Sequence, residues 1–181
     1  NLQHSGSDDF DHVGFWKRSL FAATAARTFA IQMGMTQQEE AFLGGLMQDL
    51  GMLAMNQALG SEYEDLLRKV GRDHIKLSQL EREAFDGDHC EVGGALAESW
   101  HLPPILVGPM LFHEKPDLAP GDVQKLVRCV ALGNKVADVF LNSDKGLALD
   151  NYYKTAKQWV NLCQDEAEPM LKKIHKQTGD M

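Results

Sequence analysis

The sequence predicts an all-α domain. Apolar residues recur at three- and four-residue spacing along most of the chain, and strictly alternating β-branched runs are missing. Residues that start and stop helices also punctuate the periodic stretches. A first helix is expected from about Phe15 to Met33, burying Phe15, Leu20, Ala23, Phe29 and Ala30 and closing at Gly34. A second opens at Thr36, a natural N-cap with Glu39 as its capping-box partner, and continues to about Gln57. Shorter helices follow over Tyr63–Val70 and Leu77–Phe85. Asp88 caps a helix covering His89 to Trp100, and Pro103 and Pro104 open the next, with Pro109 kinking it. "PDLAPGD" reads as a loop, and Asp122 as the cap of a long helix to about Leu141. "NSDKG" is a turn, after which helices near Tyr152–Leu162 and Glu166–Lys176 close the chain. No internal repeat is present.

Bulk properties bound the function. The 181 residues are 44% hydrophobic, enough for one substantial core and too few for two ordinary domains. Net charge is −8, with 18 Lys+Arg against 26 Asp+Glu, so the broad basic surface needed for direct nucleic-acid binding is missing. Cys90, Cys129 and Cys163 are odd in number and share no CxxC spacing, which argues against a disulfide framework and fits a reducing cytoplasm. "LPPILVGPMLF", residues 102–112, carries three prolines and is about half the length of a membrane span. The polar start "NLQHSGSDDFDH" resembles neither a signal nor a transit peptide and reads as a linker, as in a fragment of a longer protein.

Asp49 poses the sharpest chemical question. It sits in "GGLMQDLGML", residues 44–53, where an ionised carboxylate needs a partner or a route to water. Together with His89, His113 and Asp138 it makes two imidazoles and two carboxylates on apolar helical stretches, a set that a divalent transition metal accepts. Singly, each has a plainer role: His89 as a cap or surface residue, His113 as an imidazolium at a helix C-terminus, Asp138 on a solvated face. Trp16 and Trp100 read as core residues. Gly44, Gly45, Gly93 and Gly94 lie within expected helices and point to close helix approach rather than phosphate binding.

"FWKRSL", "AFLGGLMQDLGML", "DHCEVGGALAESWHLP" and "LFHEKP" together, in this order, resemble the HDOD family, the HD-related output domains of bacterial signalling proteins. The resemblance covers about residues 13–142. It implies an HD-like helical bundle over that span, preceded by a linker or the end of a missing upstream helical region at 1–12. Residues 143–181 are expected to be C-terminal helices packing on the bundle; from Tyr152 onward, outside the resemblance, they are a helix pair covering it or a contact surface. HDOD domains are similar to HD-type metal phosphohydrolases, whose ligands include a first-helix His, a His-Asp pair, middle histidines and a later Asp. Carried over, the first His falls on Arg18 and the pair on Gln48 and Asp49. The middle histidines fall on His89 and His113, with Phe112 where relatives often have another, and the last Asp on Asp138. The GYP motif of relatives that hydrolyse cyclic dinucleotides is missing from "FHEKPDLAPGD".

A permanently charged guanidinium about 4 Å from a divalent ion is repelled by roughly 8 kcal/mol at an effective dielectric near 20. Arg18 is therefore expected to replace the ion, donating to Asp49, Asp138 or both, with Gln48 adding neutral hydrogen bonds. The resemblance then implies a non-catalytic bacterial signalling module with a degenerate site of Arg18, Gln48, Asp49, His89, His113 and Asp138, without a cofactor. Its expected partners are signalling proteins or fused sensor or receiver domains, a second copy of the chain, or a nucleotide clamped by Arg18. The alternative is a phosphohydrolase holding one Mn, Fe, Ni or Zn ion on Asp49, His89, His113 and Asp138.

Overall fold

The computed structural model describes residues 10–71 and 76–179, and these form ten α-helices and one 3₁₀ turn with no strand among them. The helices are α1 (His12–Gln32), α2 (Gln38–Met47), α3 (Leu50–Leu59), α4 (Ser61–Val70) and α5 (Leu77–Phe85). They continue as α6 (His89–Ser99), α7 (Pro104–Phe112), the turn Pro116–Leu118, α8 (Gln124–Leu141), α9 (Lys145–Val160) and α10 (Gln164–Gly179). None is long and apolar enough to cross a membrane.

The paired central helices are α1 and α8, flanked by α2 on one side and by α9 and α10 on the other. Small residues permit the approach. A Cβ at Gly133 would lie 2.4 Å from the Ala22 carbonyl oxygen, and one at Gly45 would lie 2.7 Å from the Ala23 Cα, so each contact is backbone against backbone. The main core there includes Phe29, Val130, Leu132, Tyr152 and Ile174, all buried. Burying each such aliphatic or aromatic side chain contributes about 1.5–3 kcal/mol. A second core, built from Phe10, Phe15, Met52, Met55, Tyr63, Leu66 and Leu77, joins the start of α1 to α3, α4 and α5. The candidate residues lie where these cores meet.

Several local expectations are corrected. The helix expected from Thr36 to Gln57 breaks at Gln48 and Asp49. Asp49 (φ −98°, ψ 10°) thus occupies the N-cap position of α3 rather than a helix interior, and Thr36 caps nothing because α2 begins later, after Gln37. Asp122 does not cap α8, whose N-cap position is Val123. Asp144 supplies a cap instead, accepting from the Leu147 N–H, and starts α9 seven residues before the expected Tyr152. Trp16 and Trp100 are about half exposed and outside the core; Trp16 meets Phe15 edge-on and faces outward. Leu20 is half-buried. Residues 1–9 of the expected linker lie outside the described residues, while Phe10 is buried and Asp11 caps α1.

Candidate functional site

Local sequence chemistry sets each side chain in place. Asp88 caps α6 through the Glu91 N–H at 3.0 Å, and the Glu91 carboxylate accepts the Asp88 N–H in return. This capping box makes His89 the first residue of α6, with its ring turned inward and fully buried. Gly51 then lets α3 cross α6 in contact, since a Cβ there would overlap the His89 carbonyl oxygen at 1.9 Å. The crossing puts Asp49, two residues earlier, beside His89. His113 caps the C-terminal end of α7, its N–H bonded to the Pro109 carbonyl.

Five of the six candidates are nearly or wholly buried (Gln48, Asp49, His89, His113, Asp138), and Arg18 is 8% exposed. They form two groups. In the first, an Arg18 guanidinium nitrogen donates to Asp138 Oδ1 at 2.8 Å and to Asn134 Oδ1 at 2.5 Å. Arg18 does not bond Asp49, which corrects the expectation that it could serve both carboxylates. The reason is register: Asn134 and Asp138 are four apart on α8 and face α1 together, while Asp49 starts a different helix.

The second group is centred on the histidines. His89 Nε2 and His113 Nε2 are 3.2 Å apart, and Asp49 Oδ1 is 3.1 Å from His113 Nε2 and 3.7 Å from His89 Nε2. Gln48 donates its amide N–H to Asp49 Oδ2 at 3.2 Å. On the far side, His89 Nδ1 lies 2.6 Å from Glu81 Oε2, which also accepts the His89 backbone N–H at 3.0 Å. The Tyr63 hydroxyl donates to Glu81 Oε1 at 2.5 Å. His113 Nδ1 bonds the Pro109 carbonyl oxygen at 3.0 Å. Asn134 links the two groups, donating to Glu114 Oε1, which lies 3.9 Å from His113 Nε2.

Burial opposes charge throughout, yet the local pairings outweigh it. Glu81 is held below the ordinary glutamate value by hydrogen bonds from His89 and Tyr63. Burial also opposes protonation of the two imidazoles, but Cys90, with Glu81 at His89 and Asp49 at His113, holds them above the ordinary histidine value. Tyr63 is pushed up by burial and by Glu81, so it stays a donor.

Asp49, His89 and His113 thus present three convergent donors at separations suited to one divalent ion, whereas Asp138, the fourth member of the expected ligand set, is engaged by Arg18. Sequence reading missed Glu81, Tyr63, Asn134, Glu114 and Cys90. Glu81 had a signal: it lies four residues after Leu77 on the apolar face of α5, where a carboxylate demands a partner. Asn134 likewise shares the inward face of α8 with Asp138.

Beside Arg18 opens a cleft of about 300 Å³, lined among others by Phe15, Lys17, Met52, Glu64, Arg68 and Asn142.

An HDOD domain protein of unknown function from Geobacter sulfurreducens shares this fold, with a TM-score of 0.73 at 21% identity over 97% of this chain and 62% of its own. The MmoQ response regulator of Methylococcus capsulatus aligns with a TM-score of 0.66 at 27% identity, over 90% of this chain and 62% of that one. An uncharacterized protein of Treponema pallidum is 27% identical over 95 residues, which are 52% of this chain and 18% of that protein. The chain therefore spans about three fifths of those two structures and a smaller share of the Treponema protein. The HDOD domain profile matches residues 1–116, taking in the first twelve residues read above as a linker. With that match across more than half its length, and with the helical architecture in agreement, the chain belongs to the HDOD domain family.

Proposed function

We propose that the chain is the HDOD part of a signal-transduction protein and acts as a regulatory module without hydrolysing phosphoesters, through a degenerate HD-type site. The observation that carries this reading is the Arg18–Asp138 ion pair, in which a buried organic cation occupies the first-histidine position and commits the last carboxylate to itself. With Gln48 in place of an imidazole, two donors of the hydrolytic pattern are replaced and a third is engaged. Similarity to a response regulator supports a partner that is a signalling protein or a fused receiver domain, in a bacterial cytoplasm. The Arg18 guanidinium is already bonded to Asp138 and Asn134, which weakens the idea that it clamps a nucleotide.

A second reading, a metal-dependent phosphohydrolase, draws on the convergence of Asp49, His89 and His113. These residues would hold the ion, and when bound it would polarise a phosphoryl oxygen. Arg18 would then neutralise Asp138, and Glu81 would hold the His89 ring in orientation.

Steady-state assays with bis(p-nitrophenyl) phosphate and with linear and cyclic nucleotides, each with Mn, Fe, Ni or Zn, separate the two. The regulatory reading expects no turnover above a protein-free control. Metal-dependent turnover abolished by Asp49→Asn would overturn it in favour of the phosphohydrolase.

A further inference from the structure

The hydrogen bonds at the histidine pair fix both ring tautomers. Glu81 Oε2 receives His89 Nδ1 and the His89 backbone N–H, while Oε1 receives the Tyr63 hydroxyl, so the carboxylate acts only as an acceptor and Nδ1 carries the proton. The Pro109 carbonyl can only accept, so His113 Nδ1 carries one as well. With Nδ1 carrying a proton, each ring in its neutral form keeps a lone pair at Nε2; the two Nε2 atoms lie 3.2 Å apart, and Asp49 Oδ1 lies 3.1 Å from that of His113. A proton shared with Asp49 or a metal ion can occupy this space.

Cys90 decides which one the surroundings favour. Its Sγ is 3.6 Å from His89 Nε2 and 3.8 Å from His113 Nε2, buried with them at the start of α6. A tetrahedral zinc ion has Zn–N near 2.0–2.1 Å and Zn–S near 2.3 Å, which places neighbouring nitrogens about 3.4 Å apart and a nitrogen and sulfur about 3.6 Å apart. The three separations around this cluster follow that pattern. Both rings are also oriented from behind, one by a carboxylate and one by a backbone carbonyl, as metal-ligating imidazoles ordinarily are.

We propose that His89, His113 and Cys90 hold one soft divalent ion of the zinc class, in a ligand set that keeps the two middle histidines of the hydrolytic pattern and adds a thiolate that pattern does not include. Binding would release the thiol proton to solvent, leaving a thiolate and two neutral imidazoles on the ion. The site would pin α6 to α7 and so link metal state to the packing of both helices. It does not rest on the regulatory reading, because a structural or sensory ion needs no turnover.

Cobalt serves as the spectroscopic probe. Adding Co²⁺ to the purified, metal-stripped chain should give an equimolar complex with an intense near-ultraviolet thiolate-to-cobalt charge-transfer band, displaced by Zn²⁺. The band should vanish in Cys90→Ser, a near-isosteric change, and persist in Cys129→Ser and Cys163→Ser, with circular dichroism confirming that each variant is folded. Zinc affinity, measured by competition with a chromophoric chelator, should fall at least about tenfold in Cys90→Ser. Binding without the thiolate band would assign the ion to Asp49 and the histidines and overturn the role of Cys90. No binding, with the imidazole nitrogens showing a shared proton by ¹⁵N NMR, would overturn the metal site altogether. Phosphoester turnover is read independently, so failure here is distinguishable from failure of the regulatory reading.

Discussion

The α1–α8 contact and the α3–α6–α7 corner each bury ionisable side chains, but they satisfy them by opposite means. On the α1–α8 side, Arg18 supplies a fixed cation, Asp138 a fixed anion, and Asn134 an amide that accepts from one and donates onward to Glu114. Every charge there has an organic partner. On the other side, Asp49, His89, His113 and Cys90 are four groups that all bind protons or metal ions. The difference is that buried charge on one side is balanced by a fixed cation and on the other by groups that exchange protons. A guanidinium at position 18 neutralises the carboxylate that faces it, while the histidine corner is held by pairings among Asp49, His113, His89 and Glu81.

The largest expected effect breaks the closed side. Arg18→Ala leaves Asp138 buried without its cation and should destabilise the chain by about 3–5 kcal/mol in denaturant melts. Arg18→Met combined with Asp138→Leu should recover most of that loss, because a buried ion pair replaced by apolar groups of similar volume is often neutral. If the single variant loses less than about 0.5 kcal/mol, the pair is not structurally committed.

Next comes the open side. Gly51→Ala forces a methyl into the His89 carbonyl and should cost about 1–3 kcal/mol by overpacking, separating Asp49 from the histidines. Thermal melts read the cost, and the His113 ring resonances should shift with it. Unchanged resonances would show that the α3–α6 crossing does not position Asp49.

Asp88→Ala, which removes the cap that turns His89 inward, should lose about 1–2 kcal/mol at neutral pH. Burial opposes ionisation of Asp88, but Ser78, the Glu91 N–H, His89 and Arg82 hold its carboxyl below the ordinary value of 3.8. Its contribution is complete above the unfolded value and is lost as pH falls through the lower folded one. The wild type should therefore lose its advantage over Asp88→Ala progressively below about pH 4. A difference that stays constant down to acid unfolding would place the effect in backbone capping alone. The smallest effect is the exposed reference: Lys172→Ala removes an i,i+4 pair with Glu168 and should change stability by no more than about 0.5 kcal/mol.

Helix existence was legible because it follows from periodicity and capping chemistry. Leu77–Phe85 matched its expected bounds, and the helix after the "DGDH" cap differed only at its final residue. The break at Gln48 and Asp49 was not legible, because apolar residues flank it closely on both sides and a polar pair within a helix is no stop signal, whereas the crossing at Gly51 sets a new helix axis. Pairing across the site was legible in kind but not in partner. That Arg18 needs a carboxylate follows from its charge; that the carboxylate is Asp138 follows from the α1–α8 contact, which the sequence does not encode locally. Trp16 and Trp100 misled because size argues for burial, while helix register left them on outward faces. Cys90 carried no spacing signal at all, since its imidazole partners are one and 23 residues away.

A pair of double-mutant cycles tests the division of the site most directly, one between Arg18 and Asp138 and one between Arg18 and Asp49, each by denaturant unfolding. The expected coupling is about 2–3 kcal/mol in the first and less than about 0.5 kcal/mol in the second. Strong coupling between Arg18 and Asp49, with little between Arg18 and Asp138, would contradict that division.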